Sequence, residues 1–144
     1  MATVRDILGR KGSVVVSVTP DTTVVEAARL MNTRGIGAVL VLDGDRLAGI
    51  FTERDVLRRV VAEQRSAETT RVRDVMTSAL ATTTPDATTD ACAALMTGRR
   101  IRHLPVLEGA RLIGVVTTGD LMAFQVAEQA DTIAQLNSYV YHNR

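Results

Sequence analysis

The stretch Gly49-Ile50-Phe51-Thr52-Glu53-Arg54-Asp55 returns sixty-five positions later as Gly114-Val115-Val116-Thr117-Thr118-Gly119-Asp120. Working outward from that pair, residues 19–57 align with 84–122 without a gap, and 17 of those 39 positions are identical. Pro20 matches Pro85, Leu30-Met31 matches Leu95-Met96, and Val41-Leu42 matches Val106-Leu107. Further upstream, Val4-Arg5-Asp6-Ile7-Leu8 is echoed by Val72-Arg73-Asp74-Val75-Met76 at an offset of 68. The first copy therefore carries three extra residues, around Gly9–Ser13. A self-match this long means that one structural unit is written twice.

Each copy has the same local pattern. A β-branched run, Val14–Val18, has a weaker counterpart at Leu80–Thr83. Pro20-Asp21 with Thr23 and Glu26 then signals a helix start of the capping-box type. Val24, Ala27, Ala28 and Met31 follow at i, i+3, i+4, i+7, the spacing of one buried helix face, and Thr89, Cys92, Ala93 and Met96 repeat it. Ala38–Leu42 and Leu47–Phe51 read as a hairpin around Asp43-Gly44-Asp45, with His103–Leu107 and Leu112–Val116 as its copy. A second helix closes each unit, over Glu53–Ala62 and Thr118–Ala127, and the polar stretch Gln64–Thr70 links the two. The expected fold class is α/β: two β-α-β-β-α repeats, each too small for a comfortable core of its own, related by a pseudo-two-fold axis. The expected domains are residues 1–64 (first repeat with its lead segment), 71–127 (second repeat) and 128–144 (a C-terminal helix).

Composition narrows the function. Aromatics make up 3% of the 144 residues and the net charge is +1, so the chain offers neither stacking platforms nor a basic field for nucleic acid or anionic membrane. No apolar run approaches the roughly 18 residues of a membrane helix, and the N-terminus lacks a signal-type apolar core, which points to the cytoplasm. Cys92, the only cysteine, rules out an internal disulfide and reads as a small buried hydrophobe. Sixteen of the seventeen basic residues are arginine, and Lys11 is the only lysine. No nucleophile–base pair, metal set or Gly-rich phosphate loop stands out, so no enzyme activity is expected.

The lead segments, the strand entries Arg34–Val41 and Arg99–Val106, and the paired Gly-to-Asp signatures together resemble the CBS-domain family, in the tandem arrangement called a Bateman module. The resemblance covers the chain from Val4 to about Val126. It implies a flattened pair of repeats with two clefts that take adenosine-containing ligands: AMP, ADP, ATP, NAD or S-adenosylmethionine. It also implies that Asp55 and Asp120 read ribose, with Thr52 and Thr117 reaching toward ribose or phosphate. The chemistry agrees, because a carboxylate accepts from both hydroxyls of a diol through charge-assisted bonds. Val16, Val18, Ile36, Val39 and Ile50 are candidates for the apolar wall under adenine in the first copy. Arg54, Arg102 and His103 are candidates to meet phosphate.

Thr-x-x-Asp ahead of an apolar run is also a capping box, a role that needs no ligand and is compatible with binding. The copies differ, since the strand entry is Gly37-Ala38 in one and Arg102-His103 in the other, which favours a phosphate in the second cleft. The tail Asp131–Asn143 carries Ile133, Leu136 and Val140 on one helical face, with Tyr139 adjacent, and is expected to pack. The reading is a regulatory module acting in trans on an unidentified effector protein, most simply as a homodimer. The alternative is a ligand-free dimerisation and protein-interaction module.

Overall fold

Threonine hydroxyls start the first long helix of each repeat. Thr23 Oγ1 accepts from Glu26 N–H at 3.3 Å, and Thr88 Oγ1 accepts from Ala91 N–H at 3.0 Å. The structure, a computed structural model, describes residues 1–12 and 14–142, without the side chains of Tyr141 and His142. The elements run α1 (Val4–Lys11), β1 (Ser17–Val18), α2 (Val24–Arg34), β2 (Ala38–Asp43), β3 (Arg46–Thr52) and α3 (Glu53–Asp55), which continues as π-helical turns over Val56–Val61. The second half follows with α4 (Val72–Val75), α5 (Thr89–Arg99), β4 (His103–Glu108), β5 (Arg111–Thr117) and α6 (Thr118–His142).

Both hairpins form as the alternation predicts. Ala38 pairs with Thr52 and Asp43 with Arg46; at the same places in the second copy, His103 pairs with Thr117 and Glu108 with Arg111. Even the irregularity repeats, between Val41 and Leu42 and between Val106 and Leu107. The leading strands are shorter than expected. Of Val14–Val18 only Ser17 and Val18 pair, parallel to Leu40 and Val41, while Val14 is 82% exposed. Of Leu80–Thr83 only Thr83 forms a bridge, to Val106. Two residues in the first copy and one in the second find an open edge of the hairpin, and β-branching cannot extend a strand beyond its partner. The C-terminal helix is no separate element: α6 runs 25 residues from the second repeat into the tail, because nothing after Gly119 breaks it. The tail's apolar face stays largely open, with Ile133, Leu136 and Val140 all at least half exposed. Asn143, the last residue of that expected tail, lies outside the described residues, as does Ser13.

The two cores exchange their lead helices. Val4 and Ile7 of α1 are buried with Cys92, Met96, Leu104, Val106, Val116, Leu121 and Phe124 of the second repeat. Val72 and Val75 of α4 are buried with Val24, Met31, Val41, Phe51 and Val60 of the first. Backbone bonds repeat the exchange: Val4 N–H donates to Ala87 C=O at 2.9 Å, and Val72 N–H to Thr22 C=O at 2.8 Å. Arg5 N–H reaches Pro85 C=O at 2.9 Å just as Arg73 N–H reaches Pro20 C=O at 3.1 Å. These docking bonds come in matched pairs, as a pseudo-two-fold relation between the repeats requires.

Candidate functional site

Each hairpin ends in a threonine that caps the next helix, so the last strand residue and the first turn of helix meet at a fixed angle. Thr52 N–H donates to Asp55 Oδ2 at 3.0 Å while Asp55 N–H donates back to Thr52 Oγ1 at 3.2 Å. Thr117 N–H donates to Asp120 Oδ2 at 2.8 Å, and Asp120 N–H to Thr117 Oγ1 at 3.0 Å. Both signatures are therefore capping boxes, and each box holds its aspartate in one orientation at the mouth of a strand-to-helix turn.

The two carboxylates live in different surroundings. Asp55 is nearly enclosed, its side chain 7% exposed; Thr77 Oγ1 donates to its Oδ1 at 3.2 Å and Arg59 Nε stands 3.7 Å away. Asp120 is more open, its side chain 22% exposed, and Lys11 Nζ donates to its Oδ2 at 2.6 Å. Burial pushes the Asp120 carboxyl up, but the bonds from Lys11 and Thr117 outweigh it, and the group titrates below the usual carboxylate range. His103 titrates below the ordinary imidazole value, first because it is buried and then because Lys11 and Arg102 are close; Asp120 and Glu53 pull the other way. Lys11, Arg102, His103 and Asp120 thus share one electrostatic neighbourhood at the second repeat. Arg54, by contrast, is exposed and makes no side-chain bond among the described residues.

Among the expected apolar wall residues, Val16, Val18 and Ile36 are partly buried against the first core, and Ile50 is buried. Val39 is 1% exposed and enclosed in that core, so its side chain serves packing. An open cavity of about 560 Å³ includes Ile36, Gly37 and Glu53 but neither Thr52 nor Asp55. A larger one, about 650 Å³, lies between α1 and α6 around Asp6, Arg10, Phe124 and Asp131. Lys11, Thr77 and Arg59 escaped the sequence reading as site residues. The signal for Lys11 was present, as the one lysine of the chain sits inside the segment that only the first copy has. Among the described residues no cluster of three His, Cys, Asp or Glu side chains is placed to hold a metal ion, and no helix is long and apolar enough to cross a membrane.

Two exchanged β-α-β-β-α repeats, each presenting a capped aspartate at a strand-to-helix turn, define a tandem α/β repeat module. The CBS domain profile matches twice, over residues 4–62 and 72–127, and the chain belongs to the CBS-domain family. It is 36% identical to the mitochondrial CBS domain-containing protein CBSX3 of Arabidopsis thaliana, across 96% of this chain and 71% of that one. A CBS-domain protein of Burkholderia ambifaria superposes with a TM-score of 0.85 at 47% identity, covering 89% of this chain and 96% of the other. The CBS pair of protein MJ0100, solved with 5'-methylthioadenosine and S-adenosyl-L-methionine, superposes at 0.76 with 23% identity over 89% of this chain and 98% of that one, a likeness of fold. A pair of CBS domains is a regulatory module.

Proposed function

We propose that the module binds adenosine-containing nucleotides (AMP, ADP, ATP or NAD) in the clefts between its repeats and regulates an effector protein in trans, without catalysis of its own. The observation that carries this reading is the pair of oriented carboxylates. Asp120 Oδ1 makes no hydrogen bond among the described residues, and Asp55 Oδ1 accepts only from Thr77 Oγ1, so each has acceptor capacity left for a ribose hydroxyl. A helix cap alone does not need the second oxygen. Val16, Val18 and Ile36, half-buried on the first core, are the apolar residues of this reading for the first repeat, and Arg102 and His103 supply positive charge or a proton donor near the second carboxylate. The unpaired Cys92 thiol suits a reducing compartment such as the cytoplasm.

Thermal unfolding in the presence of a nucleotide panel tests it. Adenosine nucleotides at a hundredfold excess over their dissociation constant should stabilise the fold by about 2.7 kcal/mol through mass action, and GMP or CMP by much less. Equal stabilisation by AMP and GMP overturns the assignment.

The exposed face of α6 favours association as well. Met122, Val126, Ile133, Leu136 and Val140 all stand at least half exposed, at the four- and three-residue spacings of a coiled-coil seam interrupted by Gln129. We infer a homodimer through this face, with β-branched residues at alternate seam positions as in two-stranded pairs. A module that dimerises in this way and takes no ligand is the alternative reading, and the nucleotide panel separates the two.

A further inference from the structure

Thr77 and Gly9 are counterparts at the offset of 68, yet their neighbourhoods differ. In the first repeat, Thr77 N–H donates to Ile50 C=O at 2.9 Å, Ile50 N–H returns the bond at 2.9 Å, and Thr77 Oγ1 donates to Asp55. The lead helix there, α4, stops at Val75, which leaves Thr77 extended and free to pair. In the second repeat the corresponding lead helix, α1, continues through Gly9 and Arg10 to Lys11. Gly9 makes no such bridge. Instead Lys11 Nζ donates to Val115 C=O at 2.8 Å and to Asp120 Oδ2 at 2.6 Å. Val115 is the counterpart of Ile50, and Asp120 of Asp55. One ammonium, carried by the segment unique to the first copy, thus serves the same carbonyl and carboxylate as Thr77, but on the capping oxygen Oδ2 rather than on the other one.

The exchange has a chemical consequence. Thr77 is tied down through its backbone, and it is neutral. Lys11 hangs on a flexible four-carbon stem, its side chain 28% exposed, and it neutralises the carboxylate it covers. A ribose hydroxyl at the open Oδ1 of Asp120 meets a carboxylate whose charge the ammonium on Oδ2 already offsets, and a neutral ligand gives the ammonium nothing in return. A phosphate beside the ribose gives it a new partner of the same sign as the one it leaves, with Arg102 and His103 at hand.

We propose that Lys11 makes the second cleft select a phosphorylated nucleotide over an uncharged nucleoside. The proposal rests on the adenosine reading of that cleft. It assigns the discrimination to a residue outside the repeated signature, so the first cleft, where the cation near the carboxylate is Arg59, tied to the Val75 and Met76 carbonyls, has no such preference from this source.

AMP and adenosine titrations of the wild type, Lys11→Met and Lys11→Arg test it, with calorimetry for affinity. The imidazole NMR signal of His103, one of two histidines in the chain, serves as a local reporter of the second cleft. The wild type should bind AMP at that cleft about tenfold or more tightly than adenosine, as loss of one charge-assisted bond implies. Lys11→Met should bring the ratio close to one, by weakening AMP and strengthening adenosine together, and Lys11→Arg should keep most of it. Lys11→Gln, which retains hydrogen bonding, replaces the Met variant if melting shows that Met disturbs the fold. An AMP-to-adenosine ratio unchanged in these neutral variants overturns the role of Lys11 alone. If neither ligand moves the His103 signal in any protein, the adenosine reading of the second cleft falls, and this proposal with it.

Discussion

Gly49 lies so close to Thr77 that a Cβ built on it would stand 2.7 Å from the Thr77 carbonyl oxygen, and as close to Met76 Sδ. Its counterpart Gly114 meets only the side chain of Leu8, at 2.9 Å. The difference is one of what can yield. The Thr77 carbonyl is fixed in a two-bond bridge with Ile50, whereas a leucine tip can rotate away. Gly49→Ala should therefore cost about 1–3 kcal/mol, and Gly114→Ala clearly less. Urea unfolding of the two variants checks this, and equal losses would show that the bridge is soft.

The two carboxylates separate capping from binding. Asparagine caps a helix nearly as well as aspartate, so Asp120→Asn should keep the fold. It removes the charge that strengthens a bond to ribose, and affinity at an occupied cleft should drop roughly 10- to 150-fold. Asp55→Asn should behave alike for a ligand of the first cleft, with a larger loss of stability because Asp55 is the more deeply enclosed. Calorimetry beside melting temperatures decides. Unchanged affinity in both variants would leave the capping box as their whole role.

Acid should reveal the Lys11–Asp120 pair. The Asp120 carboxyl titrates below its unfolded value of about 3.9, so the native state binds that proton less readily than the unfolded chain does. The stability it contributes is present above the unfolded value and is lost as pH falls through the lower, folded one. Acid unfolding of the wild type and Lys11→Met should thus differ near neutral pH and converge in strong acid. A constant difference down to the lowest pH would assign the effect of Lys11 to packing.

His103 provides a second readout of the same cluster. Its folded value lies below the ordinary 6.5, so its contribution to stability is also lost as pH falls, beginning at the unfolded value. Removing the Lys11 charge should move the imidazole titration upward, while burial keeps it below the ordinary value. An NMR titration that does not move in Lys11→Met would place the ammonium too far away to matter.

Charge on the α6 seam should dissolve the dimer. Leu136→Glu places two carboxylates against each other across a two-fold seam, at a position that is 60% exposed in its own chain. Sedimentation equilibrium should show monomer for the variant and dimer for the wild type, with unfolding of the repeats unaltered. A wild-type monomer at high concentration would refute the seam.

The repeat, the hairpins and the caps were legible because they are written in local spacing: Thr23 to Glu26, Val41 with Gly49, Thr52 to Asp55. Exchange of the lead helices was not. Nothing near Val4 announces that it will be buried beside Cys92, because the pairing is decided by which half offers a groove after both have formed. The short β1 follows from the same cause, since Val14 has strand propensity but the hairpin edge pairs only Ser17 and Val18, with one bond to the Val16 carbonyl. The unbroken α6 could have been read, as no glycine or proline lies between Asp120 and His142. Among the site residues, Thr52 with Asp55 and Thr117 with Asp120 form the capping boxes that their spacing allows. Lys11 could not be placed from its sequence neighbours, because its partner Asp120 is 109 positions away.

Exchange of the lead helices also bears on how such a chain can be cut. A half-length fragment ending in the linker would keep α1 but lack α4, leaving a groove around Val24, Met31 and Phe51 open and an apolar helix with no home. Two such fragments can repair each other by inserting each lead helix into the other's groove, a reciprocal swap. The tandem chain is that swapped pair joined end to end. The covalent linker makes an encounter between two molecules intramolecular, replacing bulk concentration with a fixed effective one. Assembly of the two halves is then independent of dilution, which leaves the paired repeats intact even when the protein is scarce.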